Sequence, residues 1–106
     1  MPFQLDWGNG TRHVHYTYVL LSRLDGRFYI GATGDLRERV KLHSEGRVRS
    51  TVHRRPLALV YYEAYLSADD AYRRERYLKS GKGGRYLRTR LSSSLATIRT
   101  NKLERH

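Results

Sequence analysis

The chain has 106 residues, enough for one compact domain and too few for two. With 21 Lys and Arg against 10 Asp and Glu it carries a formal charge of +11 and a pI near 10.4, so a polyanion is the expected partner, nucleic acid ahead of an anionic membrane. The absence of cysteine excludes disulfides and thiolate zinc sites; no apolar run approaches the roughly 18 residues of a membrane span, and no apolar signal core opens the chain, which reads as cytoplasmic.

Residues 1–14 hold Gly8 and Gly10 among mixed polar residues and read as a flexible N-terminal arm. "HYTYVLLS" (15–22), rich in Tyr, Val and Thr, predicts a first strand. Asp25-Gly26 predicts a two-residue hairpin turn, followed by a second strand, "RFYIGA" (27–32). Asp35 and Glu38 match a D-x-x-E capping box, which predicts a helix over about 35–45, closed by Gly46. "RVRSTVHRR" is basic, breaks at Pro56 and reads as an exposed loop. "LALVYYEAYL" (57–66), apolar on both faces, predicts a third strand, the most buried of the three. Ser67 with Asp70 opens a second helix over about 68–79, stopped at Ser80-Gly81, and "GRYLRTRL" predicts a short third helix. Residues 92–106 read as a polar C-terminal tail or a frayed helix. The order β-β-α-β-α-α predicts an α/β fold of the α+β type. Residues 15–91 would form a small three-stranded, mainly antiparallel sheet flanked by helices.

Two helical stripes do not suit a plain core. At 100° per residue, Leu36, Arg39, Val40 and His43 fall on one face of the first helix, which aims two cationic side chains inward. In the second helix Ala71, Glu75 and Leu78 share a face, with a carboxylate in the middle. An unpartnered buried charge costs several kcal/mol, so either Arg39 and Glu75 form a buried structural ion pair or the interior is a polar cleft. The tyrosines point to the cleft. There are nine against two Phe, more than aromatic bulk alone requires. Tyr18 and Tyr29 share a face across the hairpin, but a two-residue turn pairs Ser22 with Tyr29 and leaves the two phenols about 13 Å apart along the strands. Gly31 is expected to leave an open patch on that face.

"YTY" at 16–18, "YIG" at 29–31, Arg39, His43 and Glu75 together resemble a GIY-YIG nuclease domain. The steps of eleven residues from Tyr18 to Tyr29, ten to Arg39 and four to His43 are the family's spacings, and the resemblance covers about residues 15–91. That family includes the cleavage domain of a DNA-repair excinuclease, homing endonucleases and restriction enzymes. The chain looks most like its small stand-alone members, with no room for a DNA-targeting domain.

The resemblance implies a metal-dependent endonuclease acting on DNA, with RNA as the less expected substrate. It implies one Mg²⁺ or Mn²⁺ on Glu75, Arg39 on the scissile phosphate, and Tyr18, Tyr29 and His43 handling the attacking water. A planar guanidinium matches two phosphate oxygens, and a lone carboxylate suits a hard cation completed by water and phosphate. The chain departs from the family where Tyr16 and Thr17 replace Gly and Ile, and it lacks an Asn between Glu75 and Leu91, where many members carry one. Ser80, Lys79 or Lys82 stands nearest to that role. The alternative reading is a weak or inactive nucleic-acid-binding module on the same scaffold.

Arg47, Arg49, Arg54 and Arg55 in the basic loop, with Lys79, Lys82 and Arg85 further on, are candidate backbone contacts to nucleic acid. A monomer or weak homodimer is expected, with no membrane partner.

Overall fold

The computed structural model describes residues 13–104, so the arm expected over 1–14 lies almost wholly outside the described residues. Strands β1 (His15–Ser22), β2 (Phe28–Thr33) and β3 (Leu57–Tyr65) form one sheet. Helix α1 (Leu36–Ser44) follows β2, and a single 3₁₀ turn (Val52–Arg54) precedes β3. Helices α2 (Ala68–Lys79), α3 (Gly81–Arg90) and α4 (Ser92–Glu104) complete the chain. The sheet order is β2-β1-β3 and both pairings are antiparallel.

The central strand is β1, not β3. Thr17 through Ser22 are all buried, whereas β3 lies at an edge and leaves Leu59 at 42% and Tyr62 at 37% exposure. β1 has a strand on each edge and helices packed over both faces, whereas β3 has a strand on one edge only. One face of the sheet packs Tyr18 and Leu20 against Leu36 and Val40 of α1. The other packs Val19 and Ile30 against Leu78 and Leu87, with Leu91 and the α4 residue Leu95 behind them.

The hairpin loop has four residues, Arg23 to Gly26, rather than two. Ser22 N donates to Arg27 O at 2.9 Å and Gly26 N to Ser22 O at 2.8 Å, with Gly26 at φ +74°. The buried Ser22 hydroxyl selects this turn. It accepts from Leu24 N and Asp25 N at 3.2 and 3.1 Å and donates to Arg54 O at 2.7 Å. Asp25 accepts from Arg27 N at 2.8 Å and pairs with Arg54 Nε at 2.9 Å, closing the loop from outside. The consequence is a register in which Leu20 faces Tyr29 and Tyr18 faces Gly31. Ser22 does not face Tyr29, so the expected 13 Å separation is not what the fold builds.

The helix starts are chemically marked. Asp35 Oδ1 accepts from Glu38 N at 3.1 Å, and Ser67 Oγ accepts from Asp69 N at 3.2 Å. Ser80 ends α2 and caps α3 at once, accepting from Gly83 N at 3.2 Å, so α3 begins three residues before the expected "GRYLRTRL". The basic loop is not wholly exposed, because Val48 and Thr51 are buried. The segment expected as a tail or frayed helix forms α4 through Glu104.

Candidate active site

Strand β1 and helix α1 carry two side chains that meet although 25 residues separate them. The Tyr18 hydroxyl lies 2.8 Å from His43 Nε2, and the opposite ring nitrogen, Nδ1, lies 2.7 Å from Thr51 Oγ1. With both nitrogens bonded, the His43 ring cannot rotate without breaking a buried hydrogen bond. Tyr18 and His43 are each 1% exposed. Tyr29 packs edge-on against His43 at a centroid distance of 5.1 Å and tilted beside Tyr18 at 6.4 Å, and its hydroxyl lies 3.5 Å from Ser50 Oγ. The four-residue loop therefore brings together the two phenols that a two-residue turn would hold apart.

Gly31 does not leave an open patch. A Cβ there would lie 2.5 Å from the Tyr18 hydroxyl oxygen, because the two residues are paired across the strands and the ring already occupies the space. Glycine is required for Tyr18 to lie flat against β2 and reach His43.

The electrostatics answer why α1 aims two basic side chains inward. Burial holds His43 down at about 4, helped by the Arg39 guanidinium, so the imidazole is neutral at pH 7. Burial pushes the Tyr18 phenol above its ordinary value, opposed by Arg39 and reinforced by the charges of Tyr29 and Glu75. Hydrogen bonding to the Tyr18 phenol holds the Arg39 guanidinium above its usual range. Glu75, half-buried, pairs with Lys79 one turn on at 2.9 Å and not with Arg39, so the Arg39–Glu75 ion pair does not form. The α1 stripe thus holds one cation and one neutral imidazole, and the α2 stripe a carboxylate whose charge reaches the Tyr18 hydroxyl.

Residues 14–88 match the family model of the GIY-YIG catalytic domain. The chain belongs to the GIY-YIG family. Among its relatives is a UPF0213 protein of Streptococcus pneumoniae, 39% identical over 66% of this chain and 71% of that one. A UPF0213 protein of Lacticaseibacillus paracasei is 39% identical over 61% and 73% of the two chains. The solution NMR structure of a UPF0213 protein from Bacillus halodurans aligns at 34% identity, TM-score 0.47, over 72% of this chain and 83% of that one. The GIY-YIG fold is a nuclease fold, so nucleic acid is the substrate class it implies.

Among the described residues of this GIY-YIG domain no group of three or more His, Cys, Asp or Glu gathers to hold a metal. Glu75 is a single hard carboxylate already facing an ammonium, and a donor set of that kind fits Mg²⁺ or Mn²⁺, which take most of their ligands from water and phosphate. No helix among the described residues is long and apolar enough to cross a membrane.

The basic residues separate into two groups. Arg54 is committed to the hairpin, donating to Asp25 and to the carbonyls of Arg27 and Phe28. Arg55 donates to Val52 O at 3.1 Å and Ser44 O at 3.5 Å while remaining exposed. Arg47 lies 3.8 Å from Glu45 on the surface, and Arg49, Lys82 and Arg85 are exposed. Arg54 and Arg55 thus both spend guanidinium donors on the protein itself, Arg54 while half-buried and Arg55 while exposed. Sequence reasoning missed Thr51, which lies in a polar stretch with no periodicity; only its burial reveals it.

Proposed function

We propose that this GIY-YIG domain is a metal-dependent endonuclease that hydrolyses phosphodiester bonds in DNA, with Glu75 holding one Mg²⁺ or Mn²⁺. The observation that supports the reading is the buried Tyr18–His43–Thr51 hydrogen-bonded chain with Arg39 beside the Tyr18 phenol. When bound, the metal supplies positive charge for the leaving oxygen. Arg39 grips the non-bridging oxygens of the scissile phosphate with its planar fork. Tyr29 places the phosphate and the water, and the Tyr18 oxygen accepts a hydrogen bond from that water. A phenol raised in proton affinity is not a phenolate at pH 7, so Tyr18 does not act as a free base. Neutral His43, with its proton on Nδ1 held by Thr51, offers Nε2 to the Tyr18 proton. As the water oxygen bonds to phosphorus, its proton passes to Tyr18 while the Tyr18 proton moves to Nε2, and the P–O bond to the leaving oxygen breaks.

A binding module on the same scaffold is the second reading, favoured by one observation: Lys79 already neutralises Glu75 at 2.9 Å. Supercoiled plasmid, single-stranded and branched DNA incubated with Mg²⁺, Mn²⁺ or EDTA separate the two. The endonuclease nicks in metal, and Glu75→Ala abolishes nicking while keeping salt-sensitive binding. No nicking of any substrate, or undiminished nicking by Glu75→Ala, rejects the nuclease.

A further inference from the structure

A cavity of about 390 Å³ opens at the outer edge of β2, lined by Phe28, Tyr29, Lys79, Ser80, Gly84 and Arg88 among others. That volume lies in the range of about 300–1,000 Å³ typical of small-ligand pockets. Tyr29 and Lys79 connect it to the candidate active site, Tyr29 through its stacking on His43 and Lys79 through its pairing with Glu75.

Gly84 is the informative residue. Glycine destabilises a helix relative to alanine, so its presence within α3 asks for a reason. The neighbouring Gly83 has one, since a Cβ there would lie 2.1 Å from Tyr77 O. Gly84 has neither steric nor conformational need of glycine: a Cβ would meet nothing within 4 Å, and Gly26 and Gly46 alone have positive φ among the described residues. What its bareness does is clear the cavity wall. The rim carries the Arg88 guanidinium, held 4.8 Å over the Phe28 ring, and the Lys79 ammonium, which it shares with Glu75 at 2.9 Å, while Ile30 and Leu78 make the floor apolar. An apolar floor under a cationic rim suits a sugar and base with an attached phosphate.

We infer that this cavity receives the nucleotide adjoining the scissile phosphate, whose backbone closes on bare Gly84 while Lys79 and Arg88 take its phosphate. The inference rests on the nuclease reading for the identity of the strand, but its test is binding rather than cleavage.

The test compares the full chain with Gly84→Ala and Gly84→Met in EDTA. Affinity is read by fluorescence anisotropy on a short fluorescein-labelled single strand and on the same sequence as a duplex. Thermal melting is followed in parallel, and amide shifts are followed by NMR on adding a thymidine trinucleotide. Gly84→Ala is expected to melt higher than wild type and yet bind about tenfold more weakly, with Gly84→Met weaker again. The Gly84 and Ser80 amides are expected to shift on titration. Variants that bind within about twofold of wild type, or amides that stay still, overturn the inference. Should Gly84→Met fail to fold, Gly84→Ala and the amide shifts decide. If wild type never nicks DNA but the variants still lose affinity, the nuclease reading fails and the cavity stands. If wild type nicks and the variants bind and nick as it does, the cavity fails alone.

Discussion

The Tyr18 hydroxyl and His43 Nε2 meet at 2.8 Å inside the protein, with Thr51 on the far side of the imidazole and Arg39 beside the phenol. Each bond constrains the next, so removing one hydroxyl should disturb the whole chain. Tyr18→Phe keeps the ring that fills the space over Gly31 and leaves Nε2 buried without a partner. Urea unfolding should show a loss of about 1–3 kcal/mol. Plasmid nicking should fall about a hundredfold, the lower end of what a positioned proton-transfer group contributes. Unchanged nicking would remove Tyr18 from the reaction.

Stability should depend on pH through His43. Its folded value of about 4 lies below the ordinary 6.5, so between those values the unfolded chain binds more protons than the folded one. The contribution is complete above about pH 6.5 and is lost as pH falls towards 4, amounting to about 3 kcal/mol at most. Asp25, held at about 2 by Arg54, acts in the same direction but only below its ordinary 3.8, so the two windows separate. Urea midpoints of wild type and His43→Gln between pH 7 and 4 should diverge at pH 7 and converge at pH 4. Parallel curves would show that His43 does not titrate as described.

Gly31→Ala places a methyl 2.5 Å from the Tyr18 hydroxyl oxygen, in backbone that itself tolerates alanine. The Tyr18 ring must move, and with it the bond to His43. Thermal or urea unfolding should register a loss of about 1–3 kcal/mol, the usual cost of overpacking. The His43 ring resonances should shift as well. Full stability with unshifted His43 resonances would mean that Tyr18 has room the structure does not show.

On the opposite face, Arg74 donates from Nε and Nη2 to the two Glu63 oxygens at 2.9 and 3.0 Å, and the Tyr61 and Tyr65 hydroxyls donate to the same carboxylate. Both charged side chains are mostly shielded, so losing one strands the other. Glu63→Ala alone should cost about 3 kcal/mol, and a double-mutant cycle with Arg74→Ala should give a coupling of about 1–3 kcal/mol. Additive single effects would show that the fork contributes packing only. Because this clamp ties β3 to the turn of α2 that carries Glu75, Glu63→Gln should weaken nicking less than Glu63→Ala does.

Much of the architecture is legible in the residues themselves. Asp35, Ser67 and Ser80 mark helix starts because their oxygens satisfy amides that a helix leaves unpaired. The stripe Leu36, Arg39, Val40, His43 turns inward, as its 3.6-residue period requires, and the steps from Tyr18 to Tyr29, Arg39 and His43 carry the resemblance to the GIY-YIG family. The burial of β3 was not legible, since an apolar run says that a strand can be buried and not which neighbours it will have.

Caps, periods and spacings are local properties of the chain, and they carry the element order through α3, the family and the side chains available for chemistry. Tertiary structure decided their states. The choice of a four-residue loop over a two-residue turn depends on Ser22 and Asp25 finding Arg54, some thirty residues away, and that choice sets the Tyr18–Tyr29 distance. The neutrality of His43 depends on burial and on Arg39, and the bareness of Gly84 acquires meaning only beside the edge of β2. These are properties of distance and desolvation, which exist only once the chain has folded.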